Sequence, residues 1–140
     1  MDIIVKSKKD IEEYAMQEHN KTSIVISIAS KNSSKANIKS DYNNKIKEIQ
    51  FIQFDDTDSM GGIEKLDASK IKRFLLKHIG DTSLGLIIVQ CEAGQSRSAG
   101  VAAALMKYFW NDDTAIFNNH KYTPNMLCYR TMLNELMSNW

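Results

Sequence analysis

The segment from residue 84 to residue 110 constrains the fold of this chain more than any other. Residues 84–90 are almost all apolar, which is typical of a central strand covered on both faces. A short polar loop follows, and residues 98–110 are rich in alanine and apolar on most sides, which predicts a helix buried against the sheet. A buried strand that leads through a short loop into a buried helix is typical of α/β folds.

Further predicted strands and helices alternate along the 140 residues. Runs rich in β-branched and aromatic residues predict strands, and apolar residues at helical spacing predict helices. The predicted strands are 3–5, 22–28, 48–54 and 84–90, and the predicted helices are 9–18, 67–78 with Asp67 as N-cap, 98–110, 112–118 and 125–139. We therefore expect a single domain over residues 1–140. Its fold class is α/β, with a central, mostly parallel sheet of about four to five strands and helices on both faces.

Composition and charge narrow the classes of function. A formal net charge of +1 gives the whole chain only a weak electrostatic field, so we expect neither nucleic acid nor a membrane surface as the main partner. No apolar run is long enough to span a bilayer, and the first residues lack the pattern of a signal peptide. The two cysteines, Cys91 and Cys128, do not suggest a disulfide framework, so we expect a reducing, cytoplasmic setting.

The loop between the buried strand and the buried helix carries the predicted chemistry. Cys91 follows the strand and Arg97 lies six residues later, so the backbone between them can curl around one anion at the positive end of the helix. A thiol placed there ionises readily, and the thiolate is the nucleophilic form. We expect the amides of the loop to bind the oxygens of a phosphate group. These amides belong to Glu92, Ala93, Gly94, Gln95, Ser96 and Arg97.

Four residues of this segment have individual expected roles. Cys91 attacks phosphorus and forms a phosphocysteine. Arg97 holds two phosphate oxygens with its planar guanidinium group, which lysine cannot imitate. Gly94 lets the loop curl tightly, and Ser98 donates a hydrogen bond to the thiolate, which favours its departure in the second step.

An acidic run supplies candidates for the proton donor that a leaving oxygen needs. The sequence Asp55-Asp56-Thr57-Asp58 follows a predicted strand, so it is expected at the same edge of the sheet as Cys91. Asp56 is the first candidate for the acid and Asp58 is the alternative. A simpler interpretation is that the three aspartates only shape or cap the loop.

The segment from Val89 to Gly100 resembles the signature of the protein tyrosine phosphatase superfamily. The short chain, the run Phe54-Asp55-Asp56-Thr57 and the pair Pro124-Asn125 are similar to its dual-specificity branch. The resemblance implies a cysteine phosphatase fold, a phosphotyrosine or related phosphoester substrate, and no metal or other cofactor. It also favours Asp56 over Asp58 as the proton donor. Members of this family usually have histidine directly before the cysteine, where this chain has Gln90, so we expect slower turnover rather than an inactive site.

Several interpretations stay open at this point. The leading function is a protein tyrosine or dual-specificity phosphatase that binds a phosphorylated protein or peptide. The alternatives are a phosphatase of a phosphoinositide, a nucleic-acid 5′-phosphate or a small metabolite, and a phosphate-binding module with weak catalysis. The histidines lack metal-ligand spacing and are interpreted as surface or interface residues; they are His19, His78 and His120. Four lysines are interpreted as a solvated face, with assistance to an acidic substrate as the alternative; they are Lys31, Lys35, Lys39 and Lys45.

Overall fold

A computed structural model describes residues 1–39 and 43–138 of the chain. In chain order its elements are β1 (Asp2–Lys6), α1 (Lys8–Ala15), β2 (Thr22–Ala29), β3 (Ile46–Gln53), α2 (Lys65–His78), β4 (Leu84–Gln90), α3 (Arg97–Trp110), α4 (Thr114–Phe117) and α5 (Met126–Met137). The strands form one parallel sheet in the order β1-β4-β2-β3. The predicted α/β fold class is confirmed.

The sheet separates two apolar layers. Successive side chains of a strand point to opposite faces, and in β2 Ile24 and Ile26 lie in a large cluster with α2, α3 and α5. Val25 lies in a smaller cluster on the other face with Ile11 of α1. The central strands β2 and β4 are therefore covered on both sides, which explains their nearly continuous apolar sequences.

The first turn of α2 differs from the prediction. The helix begins at Lys65, with Glu64 as its N-cap, so the prediction of Asp67 as N-cap is wrong. Asp67 instead lies in the first turn, where its carboxylate accepts a hydrogen bond from the backbone N–H of Glu64 at 2.9 Å. A carboxylate in this position satisfies an N–H group at the helix start and interacts favourably with the helix dipole.

Other predicted boundaries shift by a few residues. Helix α1 ends at Ala15 rather than at residue 18, and α4 covers only Thr114–Phe117. The predicted end of the last helix, Asn139, lies outside the described residues. His78 is buried at the end of α2, with Nε2 2.6 Å from a carboxylate oxygen of Glu48. Of the two positions that we predicted for it, at the surface or at an interface, the first is therefore wrong.

The topology brings the ends of three parallel strands to one edge of the sheet. Cys91 follows β4, Ser30 follows β2, and the acidic run begins after β3. In parallel α/β sheets, ligands bind outside the carboxyl ends of the strands. None of the described helices combines the length and the apolar character that crossing a bilayer requires.

Candidate active site

The loop of residues 91–97, which we call the cysteine loop, is held by the junction between β1 and α1. The backbone N–H of Lys8 donates to Glu92 O at 3.0 Å, and that of Cys91 donates to Lys6 O at 3.3 Å. Gly94 has a φ of +66°, and a Cβ at this position would lie 2.6 Å from the backbone nitrogen of Ser7. Glycine is therefore required both by the backbone conformation and by the close approach of the neighbouring chain.

The peptide N–H groups of the cysteine loop are the donors that an oxyanion would use. Within residues 1–39 and 43–138, no hydrogen bond is made by the backbone N–H groups of Glu92, Ala93, Gly94, Gln95, Ser96 and Arg97. The loop also leads directly into α3, which begins at Arg97. Consecutive amides without partners next to a helix N-terminus make a concave anion-binding surface.

The thiol of Cys91 is buried, with 2% of the residue exposed. Its Sγ lies 3.0 Å from the hydroxyl of Ser98 and 3.5 Å from the backbone nitrogen of the same residue. Gln90, the residue directly before Cys91, donates through Nε2 to Cys91 O at 3.1 Å. Its Oε1 accepts a hydrogen bond from the hydroxyl of Ser27 on the neighbouring strand. Gln90 thus links the backbone of Cys91 to the centre of the sheet.

Arg97 is fixed through one end of its guanidinium group. Its Nη1 donates to Phe54 O at 2.9 Å and to the hydroxyl of Ser30 at 3.0 Å. Its Nε is buried and has no hydrogen-bond partner among the described residues. A buried donor without a partner is costly and rare, and an oxyanion held by the cysteine loop would satisfy it.

One of the three candidate aspartates contacts the cysteine loop. Asp56 Oδ1 accepts hydrogen bonds from the hydroxyl of Ser96 at 2.8 Å and from Nδ2 of Asn125 at 2.9 Å. Asp55 instead accepts a hydrogen bond from the backbone N–H of Lys31 at 3.0 Å, which ties the acidic run to the segment after β2. Asp58 is exposed.

Asn125 is a site residue that the sequence did not single out for this role. Its Nδ2 also donates to Thr57 O at 3.1 Å, while its Oδ1 accepts from the backbone N–H of Cys128 and caps α5. Its own backbone N–H donates to Ser96 O at 3.0 Å. Asparagine before a predicted helix signals an N-cap, but no local pattern signals the contact with Asp56, because that contact joins residues 69 positions apart.

Comparison with known proteins gives structural matches and no sequence matches. Neither a protein-family model nor a curated protein matches the chain. A human tyrosine phosphatase-like serine/threonine/tyrosine-interacting protein is similar with a TM-score of 0.65 and 17% identity, over 94% of this chain and 89% of that one. Human DUSP28 is similar with a TM-score of 0.62 and 13% identity, over 96% of this chain and 90% of that one. PTPMT1 is similar with a TM-score of 0.55 and 14% identity, over 95% of this chain and 86% of that one. The chain has the fold of dual-specificity-type tyrosine phosphatases.

In this phosphatase fold, a cleft of about 570 Å³ opens beside Asp56. It is lined by the acidic run, the cysteine loop and the start of α5, through Asp56, Thr57, Asp58, Ser96, Thr123, Pro124, Asn125, Met126 and Arg130. Its charged side chains are two carboxylates and one guanidinium group, so the cleft is not strongly basic. No cluster of metal-ligating side chains occurs in the described part of the chain.

The second cysteine of this fold has a different environment. Cys128 is fully buried in the large apolar cluster, and its burial raises the pKa of the thiol to about 12. It therefore stays a neutral thiol at any physiological pH and acts as a small apolar side chain. The neighbouring α3 packs closely here, because a Cβ on Gly100 would lie 2.9 Å from the Cβ of Cys128.

Proposed function

We propose that the protein is a cysteine-dependent phosphatase that hydrolyses phosphate monoesters through a phosphocysteine, with protein phosphotyrosine as the principal substrate. The observation that carries the proposal is the geometry around Cys91. Its thiol is contacted by Ser98, and it begins a loop whose six amides have no partner within the described residues. Arg97 presents a buried Nε without a partner to complete the oxyanion site. This combination suits a phosphoryl group rather than a redox partner or a metal.

In the first step the Cys91 thiolate attacks phosphorus, an S–P bond forms, and the bond between phosphorus and the ester oxygen breaks. The loop amides and Arg97 hold the three equatorial oxygens, where charge is spread in the transition state. The leaving oxygen takes a proton from Asp56, which accepts a hydrogen bond from the hydroxyl of Ser96 in the cysteine loop.

In the second step a water molecule attacks the phosphocysteine. Asp56, now a carboxylate, accepts a proton from this water as the O–P bond forms, and the S–P bond breaks to release phosphate and the Cys91 thiolate. The hydroxyl of Ser98, 3.0 Å from the sulfur, donates a hydrogen bond that stabilises the departing thiolate. The cycle needs no metal and no organic cofactor.

The charges around the cleft support a substrate with one phosphate. Among the described residues that line it, Arg130 is the one basic side chain, and Asp56 and Asp58 are acidic. A phosphoinositide with several phosphates would place further negative charge near these carboxylates. A phosphorylated protein side chain carries a single phosphate, which the cysteine loop binds, and it places no further phosphate near these carboxylates.

The test is hydrolysis of an aryl phosphate and of a matched panel of substrates. We expect turnover that vanadate inhibits, that EDTA leaves unchanged, and that Cys91→Ser abolishes. Cys128→Ala is the matched control, because it changes the other buried cysteine and keeps the activity. The panel compares a phosphotyrosine peptide with a phosphoserine peptide, a phosphoinositide and a 5′-phosphorylated oligonucleotide.

Each outcome of this test has one meaning. Preferential hydrolysis of the phosphotyrosine peptide supports the proposal as stated. Faster hydrolysis of a non-protein substrate contradicts the substrate class but keeps the chemistry. Vanadate binding by a folded protein without any turnover contradicts catalysis and indicates a phosphate-binding module.

A further inference from the structure

A basic groove runs along the outer edge of β3, away from the cysteine loop. One cavity of about 320 Å³ lies between β3 and α2, and a second of about 330 Å³ continues toward the end of the strand. Both are lined by Lys70, and together they follow β3 from Glu48 to Gln53. We call these two cavities the β3 groove.

The strand beside this groove is an edge strand. β3 pairs with β2 on one side, and no other described strand pairs with it. The outer side of an edge strand carries peptide N–H and C=O groups that another extended chain can bind. At about 3.3 Å per residue, the stretch from Glu48 to Gln53 offers an edge of about 20 Å.

The charged residues of the β3 groove are mostly positive. Lys70 and Arg73 line it from α2, and Lys35 lines it from the segment after β2, with Nζ 4.9 Å from the ring centroid of Phe51. Within the described residues these three cations form no ion pair, since none occurs in the salt bridges of this part of the chain.

The acidic residues of the groove are already engaged. Glu48 accepts a hydrogen bond from Lys77 at 2.8 Å and lies 2.6 Å from the ring nitrogen of His78. These contacts hold the pKa of Glu48 below its ordinary value. Asp67 is bound to the start of α2 through the backbone of Glu64. The unpaired charge of the groove is therefore positive.

We propose that the β3 groove binds an extended acidic segment of a partner protein. The segment adds to the sheet beside β3, and its carboxylates contact Lys70, Arg73 and Lys35. A peptide fits better than a nucleic acid, because the groove offers strand-edge hydrogen bonds as well as charge. The small net charge of the chain also disfavours a polyanion with a charge on every unit.

The position of the β3 groove would allow a bound segment to approach the candidate active site of the proposed phosphatase. β3 ends at Gln53, and Asp56 follows three residues later. A segment bound along β3 therefore ends next to the acidic run of the active site. Binding itself needs neither Cys91 nor catalysis, so it can be tested separately from the proposed activity.

The experiment measures fluorescence anisotropy of a labelled peptide in which glutamate and threonine alternate, added to the full chain. We expect saturable binding that weakens as salt rises. Lys70→Glu combined with Arg73→Glu should weaken binding by about tenfold or more. Lys9→Glu combined with Lys39→Glu makes the same change in net charge on exposed residues outside the groove, and should leave affinity within about twofold.

Two further arms test the geometry and the class of partner. The same peptide with alternate backbone nitrogens methylated should lose most of its affinity, because it cannot add to a strand edge. A single-stranded oligonucleotide and vesicles with phosphatidylserine are the competing polyanions. The double variant Lys70→Gln and Arg73→Gln removes the two charges without reversing them. Circular dichroism of every variant shows whether a loss of binding comes from a loss of folding.

Four results would overturn the proposal. They are the absence of saturable binding at low salt, an equal loss in the two charge-reversed proteins, and unchanged affinity for the methylated peptide. The fourth is binding of the oligonucleotide or the vesicles that depends on Lys70 and Arg73 and that the acidic peptide fails to displace.

Discussion

The two halves of the candidate active site are built differently. The cysteine loop is held mostly through the backbone: Lys6, Lys8 and Phe54 contribute backbone atoms to its contacts, and the chain at Ser7 leaves no room for a side chain at Gly94. The acidic run is more exposed, and Asp56 is positioned by hydrogen bonds from two side chains.

In the proposed mechanism this difference follows from what each half must do. Binding an oxyanion requires several donors with fixed directions, and backbone packing fixes directions at no cost in side-chain entropy. A proton donor must approach substrates of different sizes, and an exposed loop permits that. Met60, which is 98% exposed, and Gly61, with a φ of +96°, lie in the same segment as Asp56. Changes to the residues that bind the oxyanion should therefore damage binding and chemistry together, whereas changes to Asp56 and to its hydrogen-bond partners should act on the rate alone.

Arg97→Lys should have the largest effect. Lysine lacks the planar fork, so it cannot both donate to Phe54 O and bind two phosphate oxygens. We expect aryl phosphatase kcat/KM to fall by about a thousandfold, and vanadate affinity to fall with it. Arg130→Lys, in the cleft but outside the loop, is the matched control and should change kcat/KM far less. Equal losses in the two variants would show that the anion is bound by positive charge alone, and not by the guanidinium group that Phe54 O holds in place.

Asp56→Asn should come next and should separate the two halves. We expect kcat to fall by about a hundredfold for substrates with a poor leaving group, because the proton donor is lost. Vanadate binding should be unchanged, because the donors of the cysteine loop are intact. Asp58→Asn is the control for local charge. If Asp58→Asn instead causes the larger loss of kcat with poor leaving groups, Asp58 is the acid and the hydrogen bonds to Asp56 only hold the loop in place.

Gly94→Ala should reduce stability as well as activity. The residue has a positive φ, and its Cβ would lie 2.6 Å from Ser7 N, which belongs to rigid backbone. We expect the free energy of unfolding to fall by about 2 kcal/mol, as measured by urea denaturation. Gly80→Ala is the matched control, because nothing lies within 4 Å of a Cβ at Gly80. A Gly94→Ala protein with unchanged stability would show that the cysteine loop moves as freely as the acidic run.

The contrast between the two halves also explains what the sequence could predict. The strand, the spacing of Cys91 and Arg97, and the parallel topology follow from short-range patterns, so the α/β fold and the position of the loop could be predicted. The contacts of Asp56 with Ser96 and Asn125 join three separate segments and have no local signal. The hydroxyl of Ser96, next to a helix start, suggests an N-cap, yet it donates to Asp56 and makes no cap hydrogen bond.

The wrong prediction of Asp67 as the N-cap of α2 has a similar cause, because one side chain can serve a helix start from more than one position. Aspartate is a favoured N-cap, and Asp67 stands at the start of the apolar pattern. A carboxylate in the first turn can serve the same backbone groups, and here Asp67 binds Glu64 N–H from inside the helix. An aspartate at the N-cap and an aspartate in the first turn can both bind the free backbone N–H groups at the helix start. Which of the two forms depends on how the chain enters the helix from the acidic run.

Ser96→Ala should have the smallest effect and the most specific one. It removes one of two hydrogen bonds to Asp56 and no helix cap, so a loss of about 1 kcal/mol, or about fivefold in kcat, is expected. The loss should appear with poor leaving groups and disappear with good ones, which need no proton. Ser59→Ala, directly after the acidic run, is the control and should leave kcat nearly unchanged. In the Asp56→Asn background Ser96→Ala should cost nothing further, because residues that act through one group are not additive. An additive loss would instead mean that Ser96 acts on the oxyanion itself. Ser96 would then contribute directly to both halves of the site, rather than only holding Asp56 in place.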